Sequence, residues 1–580
     1  MLRHVIKRLY LHARRWLRGR EIALIPIAIV AGALAGFATR AQGVFAHELQ
    51  RLLFGVGINR LSALASIQHP LRLLALPLGG LVLMGANHLI RLGRVPIDVV
   101  EANALHGGRL PWVDTLVVCA QTMISNGFGA SVGLEAAYTQ AGGGIASVIG
   151  RRLGLRREDM RTLVGAGAGA AIGSAFGAPL AGAFYGFEIV IGTYTPAALA
   201  PVAAAALSAR LVVRLLHGDA YLVVPAADAA ISSVDFVLFA ALGVVAAVTG
   251  IAIMRLQTAV ERWVQRIRVP AMWRPVIGGL LLMPIAWASP QALSSGHGAL
   301  RFDMATQPAM SFLLAVFLLK VLASVISLSF GFRGGLFFAS LFLGSLLGPL
   351  CAQAVNLVAG HQLVDPHAAA LVGMAALAVT IVGGPMCLSL LVLETTHDFA
   401  LTGVVLTAAL CASAYARAHF GYSFSTWRLH LRGTGIRSAR DQGWMRELTA
   451  RRLMNRAPMI VDAGLSIAAL RAGVPLGSTG RVLLAGQDGG YRGMVITTEA
   501  YDPAIDPARP AIELAKQAGT TLPPTSTLSE ILDQFDDSEL DELVVVNDDG
   551  GILGVLTEKY VRRRHAEEME KQAAHLFGEV

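Results

Sequence analysis

Glu135 stands where it has no local counter-charge. No lysine or arginine lies between Pro111 and Arg151, and glycines crowd the same stretch at Gly129, Gly133, Gly142, Gly143 and Gly144. A carboxylate in so apolar a block is costly, so it either does functional work or caps a helix or pairs with a distant arginine. A cation site would need several oxygen ligands, and this block has few acids besides Glu135. Anion chemistry suits it better. Glycine lets main-chain N–H groups come close to a ligand, and helix N-termini present unpaired donors at a positive dipole end. A halide then sheds water without meeting a buried full positive charge, and binding stays moderate enough for conduction. Glu135 would act as a tethered anion, filling the site when ionised and withdrawing when protonated.

Other chemistry-bearing residues carry less. Cys119, Cys351, Cys387 and Cys411 fall in apolar stretches without histidine partners at metal-ligand spacing, and they read as buried packing residues. His47-Glu48-Leu49-Gln50-Arg51 begins like a helical zinc-hydrolase motif, but Arg51 occupies the place of the second histidine. No metal site and no enzymatic activity are expected.

The elements that position Glu135 belong to a membrane. Of 580 residues, 54% are hydrophobic and 15% charged, against about 25% charged in soluble proteins. That excludes one water-soluble globule, a disordered chain, and a nucleic-acid-binding protein whose net charge of +9 is its main asset. A polytopic membrane protein remains. Charge divides near Ala439: residues 439–580 carry 15 basic and 22 acidic side chains, and the remainder carries 33 and 17. Arg3, Lys7, Arg8, Arg14, Arg15, Arg18 and Arg20 precede the first apolar segment, which places the N-terminus in the cytoplasm. The run from Ile22 to Phe37 lacks a cleavage site, so no signal peptide is expected.

Apolar segments recur from about residue 21 to residue 417, and several are not simple spans. Leu163 to Val190 contains Gly165, Gly167, Gly169, Gly173, Gly177, Pro179, Gly182 and Gly186, which predicts close-packed, short or broken helices. Non-helical backbone at membrane depth is tolerated where protein buries it or a polar cavity receives it. An internal repeat accompanies this. Phe128 to Ala137 aligns with Phe330 to Ala339 at an offset of 202, and Pro179 with Glu188 aligns with Pro385 and Glu394 at an offset of 206. Duplicated halves of this kind bring broken helices together around a transported ion.

After Trp427 the chain turns basic and then polar, as a linker to a soluble domain. Two similar units follow, Ala457 to Tyr501 and Leu522 to Val561, each a strand, a helix (Ser466 to Arg471, Leu528 to Phe535) and a strand pair. Leu543 to Val546, the turn Asn547 to Gly551 and Ile552 to Leu556 predict a hairpin. The charged end, Arg562 to Lys571, reads as a solvated helix.

These segments resemble the CLC family of chloride channels and chloride/proton exchangers. Gly133-Leu134-Glu135-Ala136-Ala137-Tyr138-Thr139-Gln140-Ala141-Gly142 is similar to the family's G-[KR]-E-G-P segment and its following glutamine. Gly177-Ala178-Pro179-Leu180-Ala181-Gly182 resembles N-A-P-L-A-G, Gly334-Gly335-Leu336-Phe337-Phe338-Ala339 resembles G-G-x-F-x-P, and Leu391-Val392-Leu393-Glu394-Thr395-Thr396 resembles L-V-L-E-x-T. The C-terminal units resemble a pair of CBS domains. The resemblance implies a polytopic all-α membrane protein of two inverted repeats of tilted and broken helices, with a small α/β cytoplasmic CBS-like domain. It divides the chain into a basic segment at 1–20, a transmembrane anion transport domain at 21–428, a linker at 429–456 and the CBS-like pair at 457–580. It also implies a homodimer with one pathway per subunit, in the inner membrane of a bacterium with both termini cytoplasmic.

Carried over residue by residue, the resemblance makes Glu135 the gating glutamate and gives the anion the backbone amides of Leu336 and Phe337. Tyr422 is the expected pore tyrosine; a two-residue shift would put Phe424 there and remove the hydroxyl. Pro96 stands where the family has a chloride-binding serine, as in relatives that prefer nitrate. Ile189 replaces the inner proton glutamate of exchangers, so passive, channel-like anion flux is expected, with Glu188 a weaker candidate for a proton relay than for a helix-end contact. A proton-coupled chloride or nitrate exchanger using another proton route is the alternative, and a CBS-regulated divalent cation transporter a remote one. The fluoride-exporting branch matches less well, because its threonine after the gating motif is Ala137 here. CBS pairs often bind adenine nucleotides; Thr557 supplies a hydroxyl, but Tyr560 stands where the aspartate is expected, so a ligand-free dimerising module is at least as well supported.

Overall fold

The computed structural model describes residues 21–57, 61–67, 69–90, 95–218, 231–267, 269–306, 308–432, 448–538 and 540–577. The basic segment at 1–20 lies outside them. Two units divide between Asp441 and Gln442.

The first unit is helical. Its helices are α1 (Leu24–Phe54), α2 (Ala75–Ile90), α3 (Val99–Leu105), α4 (Trp112–Gly127), α5 (Glu135–Leu153), α6 (Arg157–Phe176), α7 (Pro179–Tyr185), α8 (Pro196–Leu215) and α9 (Ser233–Arg266). There follow α10 (Arg274–Ala288), α11 (His297–Thr306), α12 (Met310–Ser329), α13 (Phe337–Ala359), α14 (Pro366–Val382), α15 (Pro385–Thr396), α16 (Phe399–His419) and α17 (Phe424–Leu431). Among the described residues, eight helical stretches are long and apolar enough to cross a bilayer. Their patterning reverses that of soluble helices. On α8 the small residues Ala198, Ala205, Ala206 and Ala209 face inward, while Leu199, Leu207, Leu211 and Leu215 are exposed. Large side chains that gain nothing by leaving lipid point outward, and small ones let backbones approach.

The glycine-rich block breaks as expected. Helix α6 ends at Phe176, Gly177 takes a left-handed φ of 75°, and α7 starts two residues later at Pro179 before widening through Gly186–Ile191.

Equivalent residues of the two repeats make reciprocal contacts. Gly133 and Gly335, aligned by the 202 offset, bond each other antiparallel at 2.9 and 3.2 Å. Ser327 Oγ accepts the Ser131 N–H at 3.0 Å, and Ser125 Oγ accepts the Arg333 N–H at 2.9 Å. A Cβ on Gly142 of α5 would collide with the Gly167 carbonyl of α6, as one on Gly344 of α13 would with the Gly373 carbonyl of α14. Across the second pair of helices, Glu394 accepts the Leu180 and Ala181 N–H groups at 3.0 and 2.8 Å, and Glu188 those of Met386 and Cys387 at 3.2 and 2.9 Å. Each repeat thus caps the broken helix of the other, as a two-fold pseudo-symmetry requires. Glu394→Ala leaves two helix-start donors without an acceptor and is expected to cost about 1–2 kcal/mol. Thermal unfolding in detergent measures it, and an unchanged midpoint would refute the cap's contribution.

The second unit holds α18 (Ala450–Leu453), β1 (Ile460–Asp462), α19 (Ile467–Gly473), β2 (Arg481–Ala485), β3 (Tyr491–Ile496), α20 (Thr497–Ala500), β4 (Thr521–Leu522), α21 (Leu528–Ser538), β5 (Glu542–Val546), β6 (Ile552–Thr557) and α22 (Glu558–Phe577). Two three-stranded sheets repeat one pattern: β1 is parallel to β2, which is antiparallel to β3, and β4, β5 and β6 follow suit. The predicted hairpin is β5 and β6, and Ser466 caps α19. The linker expected at 429–456 is shorter. Helix α17 runs on to Leu431, residues 433–447 lie outside the described set, and residues 448–456 belong to the second unit. There Ala450 and Leu453 join a core with Leu522, Ile531 and Phe535, and Asn455 exchanges main-chain bonds with Val555.

Candidate functional site

The repeats meet at the carboxylate of Glu135. Residue 134 precedes α5, so Glu135 occupies the first turn, with its side chain folded back onto the Gly133–Gly335 bridge. The buried carboxylate faces its own main-chain N–H and that of Phe338 at the start of α13. Its Oε2 has no hydrogen-bond partner among the described residues and lies where a Cβ on Gly133 would sit, beside Gly335. Only a glycine at position 133 leaves that room. The Phe337 ring is held by Phe176 at 5.1 Å and Tyr185 at 6.0 Å.

A cavity of about 140 Å³ opens from Glu135, lined by Leu336, Phe337, Tyr185, Ile189, Asp98 and Phe424, with Arg333, Arg428 and Arg432 towards α17. Polar contacts fix its walls: Gln140 donates to the Ile97 carbonyl at 2.9 Å, Asp114 accepts the Ile97 N–H at 2.9 Å, and Asn103 donates to the Val190 carbonyl at 2.7 Å. A second cavity of about 20 Å³ is lined by Leu134, Gln50, Asn126, Ser294 and Ser295. Gln50 bonds Asn126 and Ser294, and the buried Lys320 of α12 donates to the Ser294 carbonyl at 2.7 Å. Successive residues 134 and 135 therefore face different cavities, and the turn bearing Glu135 stands between them.

The expected residues divide. Glu135, Leu336 and Phe337 converge on the cavity. Tyr422 does not line it: its hydroxyl meets His430 Nδ1 at 3.2 Å and its ring stacks on His430. Ser423 caps α17, so the chain turns there and Phe424 enters the cavity, as the two-residue shift anticipated. Pro96 is buried ahead of α3, where Asp98, Val99 and Val100 reach the cavity in its stead. Ile189 lines it, while both oxygens of Glu188 are committed to α15. Thr557, in the second unit, pairs across the sheet with Glu542, a carboxylate placed on the same face. Sequence reading missed Tyr185, Asp98, Arg333 and Arg428. Arg333 carried a signal, since a charge between Phe332 and Gly334 in an apolar block is costly.

Fold and site together define a multi-pass membrane protein with main-chain donors and the Glu135 carboxylate where its repeats meet. A family model described as voltage gated chloride channel matches residues 93–417, and one described as CBS domain matches residues 513–567. A putative chloride channel protein ClcB-like of Ralstonia nicotianae is 29% identical over 405 residues, covering 68% of this chain and 94% of that protein. A voltage-gated ClC-type chloride channel ClcB of Escherichia coli is 28% identical over 402 residues, covering 67% and 95%. In fold, a slow cyanobacterial Cl−/H+ antiporter is similar with a TM-score of 0.61 at 24% identity, covering 70% of this chain and 97% of that one. A eukaryotic CLC transporter has a TM-score of 0.60 at 17% identity, covering 92% and 97%. The chain belongs to the voltage gated chloride channel (CLC) family of anion transport proteins.

Proposed function

We propose that the protein carries chloride or a similar small anion through a path gated by Glu135, in channel-like fashion. One observation carries this reading: the Glu135 carboxylate sits against the Phe338 N–H and the Gly133–Gly335 bridge, at the head of the cavity that Leu336 and Phe337 line. A seat for a carboxylate oxygen is also a seat for an anion. Ionised, the arm fills it; protonated, it loses its electrostatic hold and an anion enters. The two cavities on either side of residues 134 and 135 give the arm something to separate.

The channel-like part rests on Ile189, which lines the cavity without a titratable group, and on Glu188, whose oxygens cap α15. Purified protein in proteoliposomes, assayed for anion efflux with simultaneous pH recording, is expected to pass anions without a fixed opposing proton flux. Proton movement at a constant ratio to chloride would establish the exchanger instead. The family resemblance adds a homodimer in a bacterial inner membrane with both termini cytoplasmic; a monomeric mass in mild detergent would count against the dimer.

A further inference from the structure

Both side-chain hydroxyls that the resemblance leads one to expect in this cavity are missing, since Pro96 and Phe424 supply none. Guanidinium groups face the space instead. Arg333 comes from the loop between α12 and α13, Arg428 lies on α17, and Arg432 caps the C-terminal end of that helix. We propose that Arg333 and Arg428 together form a binding site for small planar oxyanions, selecting them over halides. The proposal rests on the reading of this cavity as the anion path.

Donor accounting separates the three arginines. Arg432 is engaged with Glu101 at 3.8 Å. Arg333 is anchored through its main-chain N–H to Ser125 at 2.9 Å and through Nη1 to Gln121 Oε1 at 3.2 Å. Its other guanidinium N–H groups have no protein acceptor among the described residues. Arg428 makes no hydrogen bond or ion pair among the described residues; the Phe424 ring, 5.8 Å from its Cζ, steadies it. Two guanidinium groups with uncommitted donors therefore border one small cavity.

Their geometry favours a particular ligand. Guanidinium is planar and presents pairs of parallel N–H groups that match two oxygens on one atom, as in nitrate, bicarbonate or a short carboxylate. A spherical halide cannot use that fork in the same way. Two full charges would risk trapping the ligand, and Asp98 on the same wall, with Glu261 near Arg428 and Asp114 near Arg333, offsets them. The Oδ1 of Asp98 is held by the Glu101 N–H at 2.8 Å, so its charge stays in place. Moderate net attraction is what passage requires.

Nitrate is the probe, because it is planar and its acid does not leak across lipid as a neutral species. Full-length protein in proteoliposomes is expected to pass nitrate about fivefold faster than chloride, the equivalent of one additional hydrogen bond. Arg333→Lys and Arg428→Lys keep the charge and remove the fork. Each is expected to bring the ratio towards one by lowering nitrate flux more than chloride flux, since the point charge stays and the fork is lost. A ratio unchanged in both variants, or chloride leading in the wild type, would overturn the oxyanion site and leave the path intact. No anion flux from the wild type would overturn the path itself. Should a variant fail to fold, calorimetric titration of the wild-type protein with nitrate and with chloride repeats the comparison, and equal affinity for both would overturn the proposal.

Discussion

Glu135→Gln is expected to make anion flux nearly independent of pH. In the wild type the ionised carboxylate competes for the seat at the Phe338 N–H and the Gly133–Gly335 bridge. Hydrogen bonds to a charged group contribute about 1.5–3 kcal/mol, and each 1.4 kcal/mol is about tenfold in occupancy. Protonation therefore changes the arm's hold on the seat by roughly ten- to a hundredfold. The sign follows: flux rises as pH falls, because the neutral arm no longer competes as an anion. Glutamine has nearly the same shape and no charge at any pH, so the variant should resemble the acid form of the wild type throughout. Proteoliposome efflux measured from pH 4.5 to pH 8 tests this, and a variant that keeps the wild-type slope would remove Glu135 from the gate.

The second large effect lies in the packing that brings the repeats together. Gly344→Val places a branched side chain where the Gly373 carbonyl already touches the α13 backbone, and Gly142→Val does the same between α5 and α6. Overpacking a filled core costs about 1–3 kcal/mol, and more where backbone must move. Here both helices must separate, so each substitution is expected at or above the top of that range, with similar losses in the two repeats. Gly85→Ala on α2 is the opposite case. Nothing lies within 4 Å of the added carbon, and an alanine in a helix interior is worth about 0.5–1 kcal/mol over glycine. Unfolding midpoints in one detergent should therefore fall for the first two and rise for the third. A stable Gly344→Val protein with unchanged elution would show that α13 and α14 tolerate separation.

The value of the alignment at offsets 202 and 206 shows in the reciprocal contacts. Residues matched on sequence alone, such as Gly133 with Gly335 and Glu188 with Glu394, occupy equivalent places in three dimensions. The Glu188 and Glu394 pairing also explains why both acids sit in apolar helices: each satisfies two donors that a broken helix exposes. Tyr422 is a different case, since it does not line the cavity. A two-residue choice in the run 421–424 depends on where α17 begins, and the Ser423 cap that decides it becomes evident only with the helix in view.

What the amino-acid order determined by itself was everything governed by local composition and spacing. Apolar runs with few charges demand lipid, glycine with proline breaks helices, a run of valines followed by a polar turn makes the β5–β6 hairpin, and Glu135 without a neighbouring cation in sequence announces a special carboxylate. The convergence of distant segments belongs to the tertiary structure alone. Arg333 and Arg428 are 95 positions apart and Asp98 is farther still, and no periodicity links them. They share a cavity because two pseudo-symmetric halves pack glycine to glycine, and that packing decides which side chains line it.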